Sequence, residues 1–306
     1  MEVLIFGANG QDGHYLSRLC QRRGWDVAAV SRSNAPILGD VADGPFVTGL
    51  IRTRRPALIF HLAARSTTRH DAAAENHATI GTGTLNILEA VHQHSPDSRV
   101  FLAGSALQFI NRGQPISEDD PWAAASPYAA ARNYSNFLAR YYRQLGVKVF
   151  FGYLFHHESP LRKPGHVSKT IADAARRAAA GETFQLELGD LSVEKEWTFA
   201  GDMVEAMLTL TQQDAVFEAN LGSGIACSIA DFAAACFATV NCDWRNYITQ
   251  KQDFTAEYPR LVANPARIHS LGWRPRTTFQ ELARLMVLQQ NDVNPAILSP
   301  PAPATI

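Results

Sequence analysis

Glu2-Val3-Leu4-Ile5-Phe6-Gly7-Ala8-Asn9-Gly10-Gln11-Asp12-Gly13 decides the fold. Its first five residues are an apolar run cut off at Gly7, which predicts a buried strand. From Gly10 to Arg23 the residues Tyr15, Leu16, Leu19 and Cys20 recur at helical spacing and stop before Gly24, which predicts a helix. Between strand and helix, glycines stand at i, i+3 and i+6. They let the chain turn tightly and let a pyrophosphate approach the helix N-terminus, where free N–H groups and the dipole favour an anion. A glycine triplet alone is a weak signal. This one follows a strand and opens a helix, the context that a dinucleotide-binding turn requires. Gly7, Asn9, Gly10, Gln11, Asp12 and Gly13 are therefore candidate cofactor contacts.

The same alternation continues outward. Asp26 to Val30, Ala57 to Leu62, Val100 to Ala103 and Val147 to Leu154 read as further strands, and Thr84 to His94 and Tyr128 to Leu145 as helices. Strands alternating with helices predict an α/β fold, a Rossmann-type doubly wound parallel sheet with a smaller C-terminal substrate-binding lobe. Residues 1–155 are expected to form the dinucleotide-binding core. Residues 156–291 form mainly the substrate lobe, with some segments returning to the core, and with helices at Ser168 to Ala180, Ala200 to Thr211 and Ile229 to Ala238. Residues 292–306 hold four prolines and read as a mobile tail. Trp197, Trp244 and Trp273 are expected in the core.

Composition narrows the function classes. The 306 residues carry 28 Lys+Arg against 29 Asp+Glu, a net charge of −1. No basic excess points to nucleic acid or to an anionic membrane surface. The 46% hydrophobic and 19% charged fractions are globular, with apolar surface to spare for contact between subunits. No apolar run approaches the roughly 18 residues of a spanning helix, and the N-terminus lacks a signal-peptide pattern. The four cysteines, Cys20, Cys227, Cys236 and Cys242, form no CxxC pair, which predicts free thiols in a reducing cytoplasm. No metal site is expected: His156 and His157 are adjacent at a strand end and point to opposite faces. His61, His70 and His77 lack ligand spacing and read as surface or strand-end residues. Glu118, Asp119 and Asp120 read as a solvated loop, and Arg52, Arg54 and Arg55 as a helix end or salt-bridged surface.

Two positions suggest the chemistry. The second strand ends Val30-Ser31-Arg32-Ser33, where an NAD site usually carries an acidic residue for the ribose 2′-hydroxyl. Arg32 beside Ser31 instead offers a guanidinium to a 2′-phosphate, which favours NADP over NAD. Asp40 and Val41 follow in a turn that could meet the adenine amino group. Tyr128 and Arg132 stand at i and i+4 on one helical face, a phenol beside a fixed cation that favours its deprotonation as hydride leaves. Ser105 follows the fourth strand, at the edge where α/β sites form, and its hydroxyl suits a substrate oxygen.

Together these residues resemble the extended short-chain dehydrogenase/reductase family (NAD-dependent epimerase/dehydratase family), most closely its GDP-mannose 4,6-dehydratase branch. The resemblance runs from Met1 to about Val287. Its most specific pieces are Gly10-Gln11-Asp12-Gly13-His14-Tyr15-Leu16, Ser126-Pro127-Tyr128-Ala129 and Leu154-Phe155-His156-His157-Glu158-Ser159-Pro160, supported by Leu188-Gly189-Asp190-Leu191 and Leu271-Gly272-Trp273. It implies that Leu62, Ala63, Ala64 and Arg65 line the cofactor and that His157 and Arg162 contact it. It also implies that Ser105 and Tyr128 are the catalytic hydroxyls, and that the chain takes a nucleotide-sugar substrate, bound NADP and a homodimeric or homotetrameric state.

The departures are as informative. The family lysine four residues after the tyrosine is Arg132, a planar fork in place of a compact ammonium. The family glutamate that moves the C5 proton to C6 during dehydration falls on Leu107, which can carry no proton. General acid–base help contributes roughly 10²–10⁴-fold. The pattern therefore favours 4-keto reduction or epimerisation over 4,6-dehydration, with Glu158 the nearest substitute carboxylate. In the substrate lobe the family asparagine is His156, a family arginine is Lys195, and another expected arginine falls on Phe254. His156, Glu158 and Lys195 are the candidate substrate contacts. The alternative is a cofactor-binding protein of this type with little catalysis, a sensor or accessory subunit.

Overall fold

The computed structural model describes residues 1–290, so the expected tail 292–306 lies outside the described residues. In chain order, β1 (Glu2–Phe6), α1 (Gln11–Arg22), β2 (Asp26–Ser31), β3 (Ile37–Leu38), α2 (Gly44–Arg54) and β4 (Leu58–His61) come first. A short α3 (Ala73–Asn76) runs through a π-helical stretch (His77–Thr82) into α4 (Gly83–His94), followed by β5 (Arg99–Ala103), α5 (Pro127–Gln144) and β6 (Lys148–Leu154). The second half supplies β7 (His157–Glu158), α6 (Val167–Ala179), β8 (Leu186–Leu188), β9 (Glu194–Glu196), β10 (Thr198–Phe199), α7 (Ala200–Thr211), β11 (Glu218–Leu221), β12 (Ala226–Ser228), α8 (Ile229–Ala238), β13 (Ile248–Gln250), β14 (Arg260–Leu261), α9 (Ala266–Ser270) and α10 (Phe279–Leu288).

Seven strands form one parallel sheet in the order β11-β6-β5-β4-β1-β2-β3. The order reverses at β1, whose neighbours are β2 and β4. The glycine loop follows β1 and so opens at the switch point, where α/β sheets bind ligands. Both faces of the sheet are covered. Val3 and Ile5 of β1 face one apolar layer with α1, α6, α7, α8 and α10, while Leu4 and Phe6 face the other with α2, α4 and α5. This two-sided burial is why β1, β4 and β5 read as continuous apolar runs rather than alternating ones. Each such Leu or Ile contributes about 1.5–3 kcal/mol by its burial.

The second half of the chain is not separate from the core. β11 pairs with β6 in register Glu218 with Phe151 to Leu221 with Leu154, and α7 packs on α1. The remaining strands make small sheets, β7 with β10, β12-β9-β14, and β8 with β13. Trp197 and Phe232 stack there at 4.0 Å.

Several expectations need correction. Ile37 and Leu38 form β3, an element no sequence signal announced; α2 and α10 also escaped the sequence reading, α2 because its apolar positions are sparse. Glu118 is buried, not solvated, because its carboxylate accepts the Asn220 backbone N–H at 2.7 Å. His61 does end β4, but it is buried there and bonded to the Thr79 carbonyl at 3.1 Å. Trp197 and Trp273 are buried while Trp244 is only partly so. Arg54, by contrast, closes α2 and pairs with Glu2 at 2.7 Å, the helix end and salt-bridged surface expected there.

Candidate active site

The glycine loop is held by close backbone packing. Gly7 has φ +90°, and a Cβ there would lie 2.6 Å from the Ala63 nitrogen. A Cβ on Gly13 would lie 2.4 Å from the Gly7 carbonyl oxygen. Only glycine lets β1, the first turn of α1 and the Leu62–Ala63 loop after β4 meet this closely. No side chain caps α1 at Gly10, so its first N–H groups are left for a ligand. A glycine cradle against an uncapped helix N-terminus fits a dinucleotide pyrophosphate. Asn9 joins this loop to the end of β2 by donating to the Ser33 carbonyl at 2.9 Å. Asp40 closes its own turn on the Ala42 N–H at 3.0 Å, and Val41 is buried against Gly83.

Gln11 and Asp12 bond across the molecule to the segment after β6. Ser159 Oγ donates to Gln11 Oε1 at 2.9 Å, and Gln11 Nε2 donates to the His157 carbonyl at 3.3 Å. His157 Nε2 lies 3.0 and 3.1 Å from the two Asp12 oxygens, and its Nδ1 lies 2.7 Å from the Phe155 carbonyl. Only an imidazolium donates from both nitrogens. Burial opposes that charge, but the Asp12 carboxylate outweighs it and raises the His157 pKa above its ordinary value. In return, and also against burial, His157 lowers the pKa of Asp12. The two most distinctive motifs of the sequence are thus one clamp.

Beside it sits a buried charged cluster. Glu158 accepts from Arg162 and faces His156 Nε2 at 3.0 Å; Arg162 also donates to the His157 carbonyl. Although burial opposes ionisation, Arg162 and His156 hold the Glu158 carboxyl far below the usual range. Burial, then Lys195, pushes His156 down to about 4. The Lys195 ammonium lies 5.1 Å over the Trp197 ring, and burial lowers it to about 8. His156 stands just before β7, Glu158 on it, Arg162 in the loop after it and Lys195 on β9, so the cluster joins segments distant in the sequence.

Tyr128 and Arg132 share the inner face of α5. Ser126 caps this helix by accepting the Ala129 N–H at 3.2 Å, and Pro127 occupies its first turn, so the Ser-Pro-Tyr sequence sets the start that aims Tyr128 inward. The Arg132 guanidinium lies 5.2 Å from the centre of the Tyr128 ring and donates to the Ala103 carbonyl. It is buried, its Nε has no hydrogen-bond partner, and it has no carboxylate partner among the described residues. Ser105 caps a short 3₁₀ turn (Ala106–Gln108) by accepting the Leu107 N–H at 3.2 Å, which leaves its own proton to donate. Leu107 packs with Tyr128, Ile80 and Ala64.

The family profile of GDP-mannose 4,6 dehydratase matches residues 4–286. The chain belongs to the GDP-mannose 4,6-dehydratase family. GDP-mannose 4,6 dehydratase 2 of Arabidopsis thaliana is 28% identical over 318 residues, covering 93% of this chain and 85% of that protein. Two solved structures share the fold. One is RMD from Pseudomonas aeruginosa complexed with NADPH, with a TM-score of 0.82 and 22% identity over 94% of this chain and 97% of that one. The other is UDP-glucose 4-epimerase of Thermus thermophilus complexed with NAD, with a TM-score of 0.78 and 21% identity over 94% and 98%. As a member of this family the chain is a nucleotide-sugar enzyme of the short-chain dehydrogenase/reductase type.

Three site residues were missed by reading the sequence of this family member. Gln108 accepts the Ser105 N–H at 2.8 Å and donates to Asn133 Oδ1 at 3.1 Å, tying the Ser105 turn to α5. The Ser-x-x-Gln spacing of a capping box was the available signal. Glu75 binds Arg32 and Arg65, and nothing local in its Ala-rich surroundings announces it.

Proposed function

We propose that the chain binds a nicotinamide dinucleotide, NADP in preference to NAD, and exchanges hydride at C4 of a nucleotide sugar, a GDP-hexose or its 4-keto derivative, by reduction or epimerisation rather than 4,6-dehydration. One observation carries the choice of reaction: the side chain packed with Tyr128 at the turn after β5 is Leu107, while Tyr128, Ser105 and a buried Arg132 are all in place. Reduction of a ketone needs only a hydride and one proton. The bound dinucleotide supplies or accepts the hydride. Tyr128 gives the proton to the sugar oxygen or takes it, Ser105 donates to the same oxygen, and Arg132 stabilises charge developing on the phenol oxygen. Elimination of water additionally needs a base for the C5 proton, and Leu107 offers none.

The NADPH and NAD complexed in the two solved structures support the cofactor class, and the relatives' name supports the substrate class. Arg32 at the end of β2 supports NADP. Lys195 and Arg162, two cations beside the single Glu158 carboxylate, support an anionic substrate end in the C-terminal lobe. Tyr134, Phe137 and Tyr141 are exposed along one stripe of α5 and Leu145 just past its end, which supports association of two copies through this helix. Four unpaired cysteines support the cytoplasm, and no helix among the described residues is long and apolar enough to cross a membrane.

The test is mass spectrometry of two incubations, GDP-mannose with NADP⁺ and the 4-keto sugar nucleotide with NADPH. The expected result is unchanged GDP-mannose and a two-hydrogen gain on the ketone, lost in Tyr128→Phe. Loss of one water from GDP-mannose refutes the reading. Binding of NADPH with no turnover of either compound supports the alternative, a binding protein.

A further inference from the structure

Three charged side chains meet beside the glycine loop. Arg32 follows β2 and Arg65 follows β4, the two strands that flank β1. Both guanidinium groups reach a single carboxylate, Glu75 of α3. Arg32 Nη2 donates to Oε1 at 2.9 Å and Arg65 Nη1 donates to Oε2 at 2.9 Å, so each carboxylate oxygen has its own arginine. α3 is held against the loop that carries Arg65, because the buried Asn76 donates to the Thr67 carbonyl at 3.2 Å. Arg32 is held beside the glycine loop by the Asn9–Ser33 bonds. Two planar forks converging on the oxygens of one anion is the arrangement that recognises a phosphate monoester. Here the anion is part of the chain.

We propose that Glu75 is a specificity-determining residue for the dinucleotide: it is an internal anion that holds Arg32 and Arg65 and must release both before a 2′-phosphate can take them. The proposal rests on the dinucleotide reading above and extends it to Arg65 and Glu75. A ribose carrying only a 2′-hydroxyl offers the arginines no competing charge, so the bridge persists when NAD(H) binds. A monoester phosphate carries about −1.5 to −2 at neutral pH against −1 for the carboxylate, so NADP(H) displaces Glu75, at a cost that NAD(H) does not meet. The chain therefore prefers NADP(H) by less than two free guanidinium groups would give.

The experiment is calorimetric titration of the purified full chain with NADPH and with NADH, in the wild type and in Glu75→Gln and Arg65→Ala. Exposed ion pairs of this kind are each worth a factor of up to about five, so losing two raises NADPH affinity in Glu75→Gln roughly fourfold to tenfold. NADH affinity is expected to change less than about twofold, and the NADPH gain to shrink in 0.5 M salt as the charges are screened. Arg65→Ala is expected to move the NADPH/NADH ratio the other way. A ratio unchanged in Glu75→Gln, or equal shifts for both ligands, overturns the assignment of Glu75 while leaving the dinucleotide reading intact. Binding of neither dinucleotide by the wild type overturns both.

Discussion

Replacing Asp12 by Asn tests whether the His157 clamp is ionic. In the native chain His157 donates from Nδ1 to the Phe155 carbonyl and from Nε2 to the Asp12 carboxylate. Asp12→Asn removes the counter-charge, the imidazole reverts to neutral, and the charge-assisted bond from Nε2 becomes at most a neutral one in which the introduced side-chain amide donates to Nε2. The pair is largely buried, with side-chain exposures of 12% and 20%, so a charge-assisted hydrogen bond here is worth about 2 kcal/mol. The sign of the pH dependence follows from the two shifts. His157 is raised, so its contribution is complete below the ordinary imidazole value of about 6.5 and is lost as pH rises through its folded value above that. Asp12 is lowered, so its contribution is complete above about 3.9 and is lost as pH falls through its folded value below that. Urea unfolding of wild type and variant at pH 5.5 is therefore expected to differ by about 2 kcal/mol, and by less at pH 9.5. Comparing the two proteins at each pH cancels every other titrating group. A difference as large at pH 9.5 as at 5.5 refutes the imidazolium.

Two further outcomes follow from the packing. In Gly13→Ala the helix gains about 1 kcal/mol of propensity, but the new Cβ lands 2.4 Å from the Gly7 oxygen and 2.6 Å from the Ala8 Cα, both backbone. Overpacking of about 1–3 kcal/mol wins, so a net loss of about 1 kcal/mol and weaker dinucleotide binding are expected by denaturation and titration, whereas Gly10→Ala, whose Cβ meets only the Gly7 oxygen at 3.3 Å, is expected to be milder in both. Phe137→Glu, on the exposed face of α5, is expected to lower the molecular mass by light scattering to that of one chain while leaving the far-ultraviolet circular dichroism unchanged; an unaltered mass points to another interface.

Local signals were legible in the sequence because they recur at short range. The apolar run before Gly7, the helical spacing of Tyr15 to Cys20 and the Ser-Pro start of α5 each report a backbone state set by neighbours in the chain. They determined the strand–loop–helix of the cradle and the shared face of Tyr128 and Arg132. The substitution at Leu107 was also legible, since identity at a position needs no coordinates. What only the tertiary structure decided are pairings between distant segments. Gln11 and Asp12 meet Ser159 and His157 across roughly 145 residues, Arg32 and Arg65 share Glu75, Glu118 is buried by a bond to Asn220, and β11 returns to pair with β6. No period or spacing encodes such contacts. They follow from the burial of both faces of the sheet, which brings loops after different strands to one edge.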